Sequence, residues 1–195
     1  MKCLVLFDFD GTLTEKDSFI VFLRKTNSPL KFFSGFILLS PVLVLYKLGI
    51  IPNWKAKQIV IRYFYSGMDA EKFFQMSRKF SDEIIPTLVK ENAIRKFREH
   101  VSAGNLVVIV TASLQPYMEA WSKSSGAQLL ATRLEIREGK ITGYYAGQNC
   151  YGEEKAKRIK EKYPLGEFEK IIAYGDSKGD REMLELATEK HYRAF

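Results

Sequence analysis

CLVLFDFDGT, residues 3–12, sets the frame for reading the chain. Its first half, Cys3 to Phe7, is a short unbroken apolar run, the pattern of a strand buried on both faces of a parallel sheet. Its second half turns polar at once, with Asp8 and Asp10 two apart and Gly11 available for a turn. Two later runs repeat the design. Leu106 to Val110 ends at Thr111, Ala112 and Ser113, and Ile171 to Tyr174 ends at Gly175 and Asp176. Ligands of open α/β sheets bind at the carboxyl ends of the strands. Three polar strand ends are therefore expected to share one edge.

The intervening sequence supports that layout. A helix is expected around Leu114 to Lys123, and LEIREGKITGYY (residues 134–145) reads as a hairpin turning at Glu138-Gly139. Further helices are expected over Lys155 to Lys162, starting near Gly152, and over Asp180 to Ala187. This alternation predicts an α/β fold, a Rossmann-like doubly wound parallel sheet. Residues 14–100 break it, reading as successive helices punctuated by Ser28-Pro29, Ile51-Pro52, Gly67 and Pro86. The expected division is a core of residues 1–13 and 101–195 with an inserted helical cap at 14–100.

Composition bounds the reading. Among 195 residues, 46% are hydrophobic, 13% are aromatic and only 6 are proline, enough apolar surface to exclude disorder and collagen-like repeats. Thirty Lys and Arg against 23 Asp and Glu leave +7, which favours anionic partners. Nothing beside that charge carries a nucleic-acid signature. Cys3 and Cys150 are too few for a disulfide framework and lack metal-ligand spacing, so a reducing cytosol is expected. Lys2 and the apolar run behind it stop at Asp8, short of the roughly 7–15 residues of a signal-peptide core. No export signal is read there. His100 and His191 have no partner pattern, and Trp54 and Trp121 read as packing residues.

Two carboxylates at a buried strand end repel each other, and a divalent cation resolves the conflict. Ligands offering only oxygen select a hard ion, and Mg²⁺ commonly takes one or two carboxylates together with substrate phosphate. Asp176 can join Asp8 and Asp10. Thr111 and Ala112 can offer a hydroxyl and backbone N–H groups to a phosphate, and Lys155 a compact positive charge. With those parts, one carboxylate can attack phosphorus while the other manages the proton of the leaving oxygen.

This set resembles the haloacid dehalogenase (HAD) superfamily. The D-x-D-G-T motif stands as Asp8-Phe9-Asp10-Gly11-Thr12, the strand-end threonine as Thr111, the lysine as Lys155, and G-D-x-x-x-D as Gly175 through Asp180. The motifs keep the family's order and span residues 8 to 180. The resemblance implies an HAD-like core in which Asp8 becomes an aspartyl-phosphate and Asp10 is the general acid, then the base. It implies Mg²⁺ held by Asp8, the Asp10 carbonyl and Asp176, with Asp180 as a further metal-side or lysine-orienting acid. Asp180 also reads as a cap of the following helix. Similar dehalogenases and P-type ATPases lack the second aspartate, whereas phosphatases and mutases carry it, so the resemblance favours phosphoryl transfer from an alcohol ester.

The helical insertion is similar to the C1-type cap of the phosphoserine-phosphatase subgroup. There a glutamate nine residues after the nucleophile holds the substrate's amino group and a cap arginine its carboxylate. Here the ninth position is Asp17, which equally reads as the N-cap of a helix starting near Ser18, and Arg62 is the candidate arginine or else a solvated-face residue. GDSKGD departs from that subgroup's GDG-x-N-D. The expectation is a cytoplasmic, Mg²⁺-dependent phosphatase of small phosphorylated substrates.

Phe32 to Tyr46 runs fifteen residues without a charge, between Lys31 and Lys47. As one helix it would reach roughly 22 Å, short of the roughly 30 Å hydrocarbon core of a bilayer. Three readings stand: burial in the cap or a dimer contact, an interfacial segment over residues 32–51 on an anionic membrane, or full insertion. The interfacial reading leads to two alternatives. One is a phosphatidylglycerophosphate-type lipid phosphatase, peripheral at the inner face of the membrane. The other is a non-catalytic membrane-associated scaffold.

Overall fold

In the computed structural model, residues 3–195 are described, and Lys2 lies outside them. The chain runs from β1 (Cys3–Phe7) through α1 (Ser18–Thr26), α2 (Pro29–Leu38), α3 (Ser40–Lys47), α4 (Asn53–Tyr65) and α5 (Ala70–Glu83). Then come α6 (Glu91–Ser102), β2 (Leu106–Leu114), α7 (Gln115–Ser124), β3 (Gln128–Thr132) and the hairpin β4 (Leu134–Arg137) with β5 (Lys140–Tyr145). The chain continues with α8 (Glu153–Lys162), β6 (Lys170–Gly175), α9 (Arg181–Glu185) and β7 (Glu189–Tyr192).

Five of these strands form one parallel sheet in the order β3-β2-β1-β6-β7, and β4 and β5 form a separate antiparallel pair. β1 is central. Its alternation sends Val5 and Phe7 into the core on one face and Leu4 and Leu6 into the core on the other, which is why the run is apolar throughout. Register brings the strand ends level: Phe7 pairs with Ile109 on β2 and with Tyr174 on β6. The polar residues that follow each strand therefore meet at one edge.

Some boundaries differ from the sequence reading. β2 continues through Thr111 to Leu114, with a register shift against β3. The expected helix over Asp180 to Ala187 is a 3₁₀ turn (Lys178–Asp180) followed by the short α9. β3 and β7 were not legible. β7 (EKHY) is a polar edge strand, recognisable only because its backbone pairs with β6. The insertion boundary expected at residue 100 falls inside α6. That helix packs on the sheet, against β2 and with Phe97 5.3 Å from Phe7 of β1 between ring centres, so the sheet's own crossover helix begins at Glu91.

The uncharged stretch is two helices, not one. α2 and α3 meet at a 55° bend, and Pro41 opens α3 rather than interrupting a longer helix. Among the described residues no single helix is long and apolar enough to cross a membrane. Gly35 lets α2 press on α4, since a Cβ there would lie 2.6 Å from the rings of Tyr63 and Phe64. The inner residues Phe32, Phe36 and Leu43 join the core, so burial in the cap accounts for that face only.

Candidate active site

Asp8 leaves the end of β1 into a nearly solvent-free position. One of its oxygens, Oδ1, accepts from Lys155 Nζ at 2.5 Å, and the same ammonium reaches Asp180 Oδ1 at 2.6 Å. Lys155 comes from the first turns of α8, which turns back to the sheet edge at Gly152, in the left-handed region at φ +61°. The other Asp8 oxygen, Oδ2, accepts from the Thr12 hydroxyl at 3.2 Å, and Thr12 lies equally near Asp176 Oδ1 at 3.3 Å. Gly11, at φ +87°, is required here, because a Cβ would collide with the Asp176 carboxylate.

Asp180 takes the lysine-orienting role, but it does not cap the following helix as expected, because its side chain accepts no hydrogen bond from α9. Its Oδ2 accepts from the backbone N–H of Asp176 and Ser177 and from the Ser177 hydroxyl, a capping box that closes the turn after β6. Its Oδ1 holds Lys155. Asp8, Asp176 and Asp180 offer carboxylate oxygens within 4.8 Å of one another, an all-oxygen set suited to a hard divalent ion. Lys155 and the turn already engage both Asp180 oxygens. Asp8 Oδ2 and Asp176 are therefore the better-placed pair of ligands.

The charges explain the titration behaviour. Burial pushes the Asp8 carboxyl up to about 7, helped by Asp180 and Asp10 and opposed by Lys155. Burial also works against a charged Lys155, but Asp8 and Asp180 outweigh it and hold the ammonium above its ordinary value. Asp180 is buried too, yet Lys155 and the Ser177 donors keep it below the carboxylate range. Two carboxylates share one cation. Asp180, with more donors, keeps its charge, and Asp8 carries the deficit.

Asp10 has separate partners. Its Oδ1 accepts from the Ser18 N–H at 2.7 Å and its Oδ2 from the Ser113 hydroxyl. Ser113 and Tyr117 both contact the Ser18 hydroxyl, at 3.0 and 3.3 Å. Burial and nearby Asp17 push Asp10 above the ordinary carboxylate range, against the Ser113 and Ser18 donors, which favours a protonated acid. Ser18, Ser113 and Tyr117 were assigned no site role from sequence. Ser113 alone stood in a marked position, at a strand end.

Asp8, Asp10, Thr111, Ala112, Lys155 and Asp180 line one cavity of about 270 Å³. Thr111 is buried and its hydroxyl accepts from the Ser113 N–H. Asp17 meets both of its readings: it caps α1 by accepting from the Ile20 N–H, and it lines the cavity. Arg62 is not brought into the site. It is exposed on α4 and stacks on Tyr144 at 4.6 Å. The cap cation at the cavity is Lys57, whose Nζ donates to the Ala112 carbonyl at 2.9 Å and lies 4.6 Å from the Phe19 ring. Lys57 and Arg62 stand five residues apart on one helix, roughly 140° around its axis at 100° per residue. Packing of α4 against β5 decides which of them faces inward. Convergence of the expected groups speaks against a non-catalytic scaffold.

Elsewhere, Cys3 and Cys150 are free thiols, His100 pairs with the Tyr174 hydroxyl at 3.0 Å, and Trp121 packs on Phe9.

Comparison with known proteins agrees with this arrangement. A family model described as haloacid dehalogenase-like hydrolase matches residues 5–185. Protein CicA of Caulobacter vibrioides is 38% identical over 194 residues, covering 98% of this chain and 86% of that protein. A solved protein of unknown function from Bordetella pertussis Tohama I superposes with a TM-score of 0.82 at 25% identity, over 97% of this chain and 89% of that one. A substrate-bound phosphoserine phosphatase shares the fold at a TM-score of 0.70 and 18% identity, over 98% of this chain and 86% of that one.

Proposed function

Because this chain belongs to the haloacid dehalogenase-like hydrolase family, we propose that it hydrolyses small phosphomonoesters with Mg²⁺, through an aspartyl-phosphate on Asp8. The observation that carries this reading is the division of labour between two carboxylates. Asp8 sits on Lys155 beside Asp176, while Asp10 is held apart by Ser18 and Ser113.

An Asp8 oxygen attacks phosphorus as the bond to the ester oxygen breaks, and Asp10 gives its proton to the departing alcohol. Asp10, now a carboxylate, takes a proton from water, whose oxygen attacks phosphorus and releases phosphate and free Asp8. Lys155 and the Thr111–Ala112 segment face the phosphoryl oxygens and neutralise charge as it develops. Mg²⁺, held by Asp8, Asp176 and the Asp10 carbonyl, would add to that neutralisation.

At the rim, Asp17 and Lys57 offer one negative and one positive group, which suits a substrate carrying both charges, as phosphoserine does. Lys57 takes the place proposed from sequence for Arg62. A cytoplasmic site of action belongs to the same proposal. The test is phosphate release from a soluble aryl ester. Activity lost on chelation, restored by Mg²⁺ and absent from D8N supports it, whereas metal-independent release or an active D8N overturns it. A screen of phosphorylated metabolites then assigns the substrate.

A further inference from the structure

The six most exposed large hydrophobic side chains among the described residues all lie between positions 30 and 50. Leu30, Phe33, Ile37 and Leu38 belong to α2, and Leu48 and Ile50 follow α3, each between 61% and 81% exposed. On α2 the spacing of 3, 4 and 1 puts these residues along one stripe, opposite the Phe32–Gly35–Phe36 face that packs on the core. A folded monomer rarely leaves so much apolar surface together, and such patches mark contact sites.

Charge identifies what this face contacts. From Ser18 to Met68 the chain has no Asp or Glu but seven cations: Arg24, Lys25, Lys31, Lys47, Lys55, Lys57 and Arg62. Outside that segment acids and bases balance at 23 each, so the protein's whole +7 resides in the helices around the apolar face. Lys31, Lys57 and Arg62 are engaged within the fold, but a segment this rich in cations and free of acids still complements an anionic lipid surface: the apolar side chains enter the acyl boundary while cations such as Lys47 reach headgroup phosphates. Tyr46 and Trp54, at the end of α3 and the start of α4, add exposed amphipathic rings of the kind that settle at that boundary. Neither α2 nor α3 is long enough to cross a bilayer alone, and the 55° bend between them lets both rest on a membrane surface.

We propose that α2, α3 and the turn after them dock the protein on an anionic lipid bilayer. The helices that carry the docked face also wall the site, because their Phe36, Leu43 and Tyr46 line the cavity that contains Asp8. Docking therefore sets the cavity beside the headgroup layer.

The experiment is flotation of the full chain with phosphatidylcholine vesicles, with and without phosphatidylglycerol, alongside I37E/L48E. Neither substituted residue lines the cavity. The expected result is partition onto anionic vesicles that weakens with salt, falls about tenfold or more in I37E/L48E, and leaves soluble aryl-ester turnover unchanged. Wild-type protein that stays with the soluble fraction, or floats equally with neutral vesicles, overturns the proposal. So does a wild-type dimer, made monomeric by I37E/L48E, without lipid binding, because a second copy then covers the face. Turnover is measured separately, so failure to float leaves the phosphatase reading standing, and failure to turn over leaves the dock standing.

Discussion

At the sheet edge, Asp8, Lys155 and Asp180 carry three ionisable groups into nearly dry positions; on α2, Leu30 and Ile37 hold large aliphatic side chains 81% and 74% exposed. Each region reverses the usual partition of polar and apolar groups, but only one reversal is closed within the chain. Lys155 lies 2.5 and 2.6 Å from its two carboxylates, and Ser177, Thr12 and backbone N–H groups take up further oxygens. Buried charge is tolerated where partners converge so closely. The outward stripe of α2 has no such closure among the described residues. Stability therefore depends on the first region and is nearly indifferent to the second.

The largest effect expected is on turnover in D8N. The amide keeps the shape of the side chain but does not attack phosphorus, so aryl-ester hydrolysis falls by about four orders of magnitude or more. A residual rate within tenfold of wild type would remove the nucleophile from the account. Next comes K155A, which leaves two buried carboxylates without their cation and is expected to cost about 3–5 kcal/mol in denaturant unfolding as well as activity. Unchanged stability would show that the cluster is not closed by this lysine.

A smaller effect separates burial from pairing at His100. Burial lowers its pKa and Lys96 adds to this, against Glu99 and Glu189, while its ring nitrogens meet Tyr174 and Asn105. The unfolded chain then takes up the proton first as pH falls, so stability is full above the unfolded value near 6.5 and declines as pH drops through it. Thermal unfolding of H100Q should lose that part of the slope. Smallest of all is the change in unfolding free energy of I37E/L48E, expected within about 0.5 kcal/mol per site because neither side chain leaves a packed core. A loss of several kcal/mol would mean that the stripe is packed after all.

Much of the site was legible because its residues follow strongly patterned strands. β1 was read to its observed limits, and the positions after it supply Asp8 and Asp10 of the candidate site. Asp17 and Asp180 each had two readings; Asp17 meets both, capping α1 and lining the cavity, whereas Asp180 holds Lys155 and leaves α9 without a side-chain cap. Ser18 and Tyr117 were invisible because a serine opening a helix and a tyrosine within one are unremarkable until Asp10 comes within reach. β7 was missed for a related reason, since an edge strand with polar alternation depends on backbone pairing with β6 rather than on a hydrophobic run.

By itself the sequence determined the parallel core, the order of the motifs and the acids that gather at the strand ends, because strand burial and turn chemistry are local and leave a pattern in the residues. Only tertiary structure decided that Lys57 and not Arg62 looks into the cavity, that Asp180 is committed to Lys155, and that one face of α2 remains outside. Those outcomes turn on helix rotation and on contacts between distant segments, set when α4 settles against β5 and α8 closes over the strand ends.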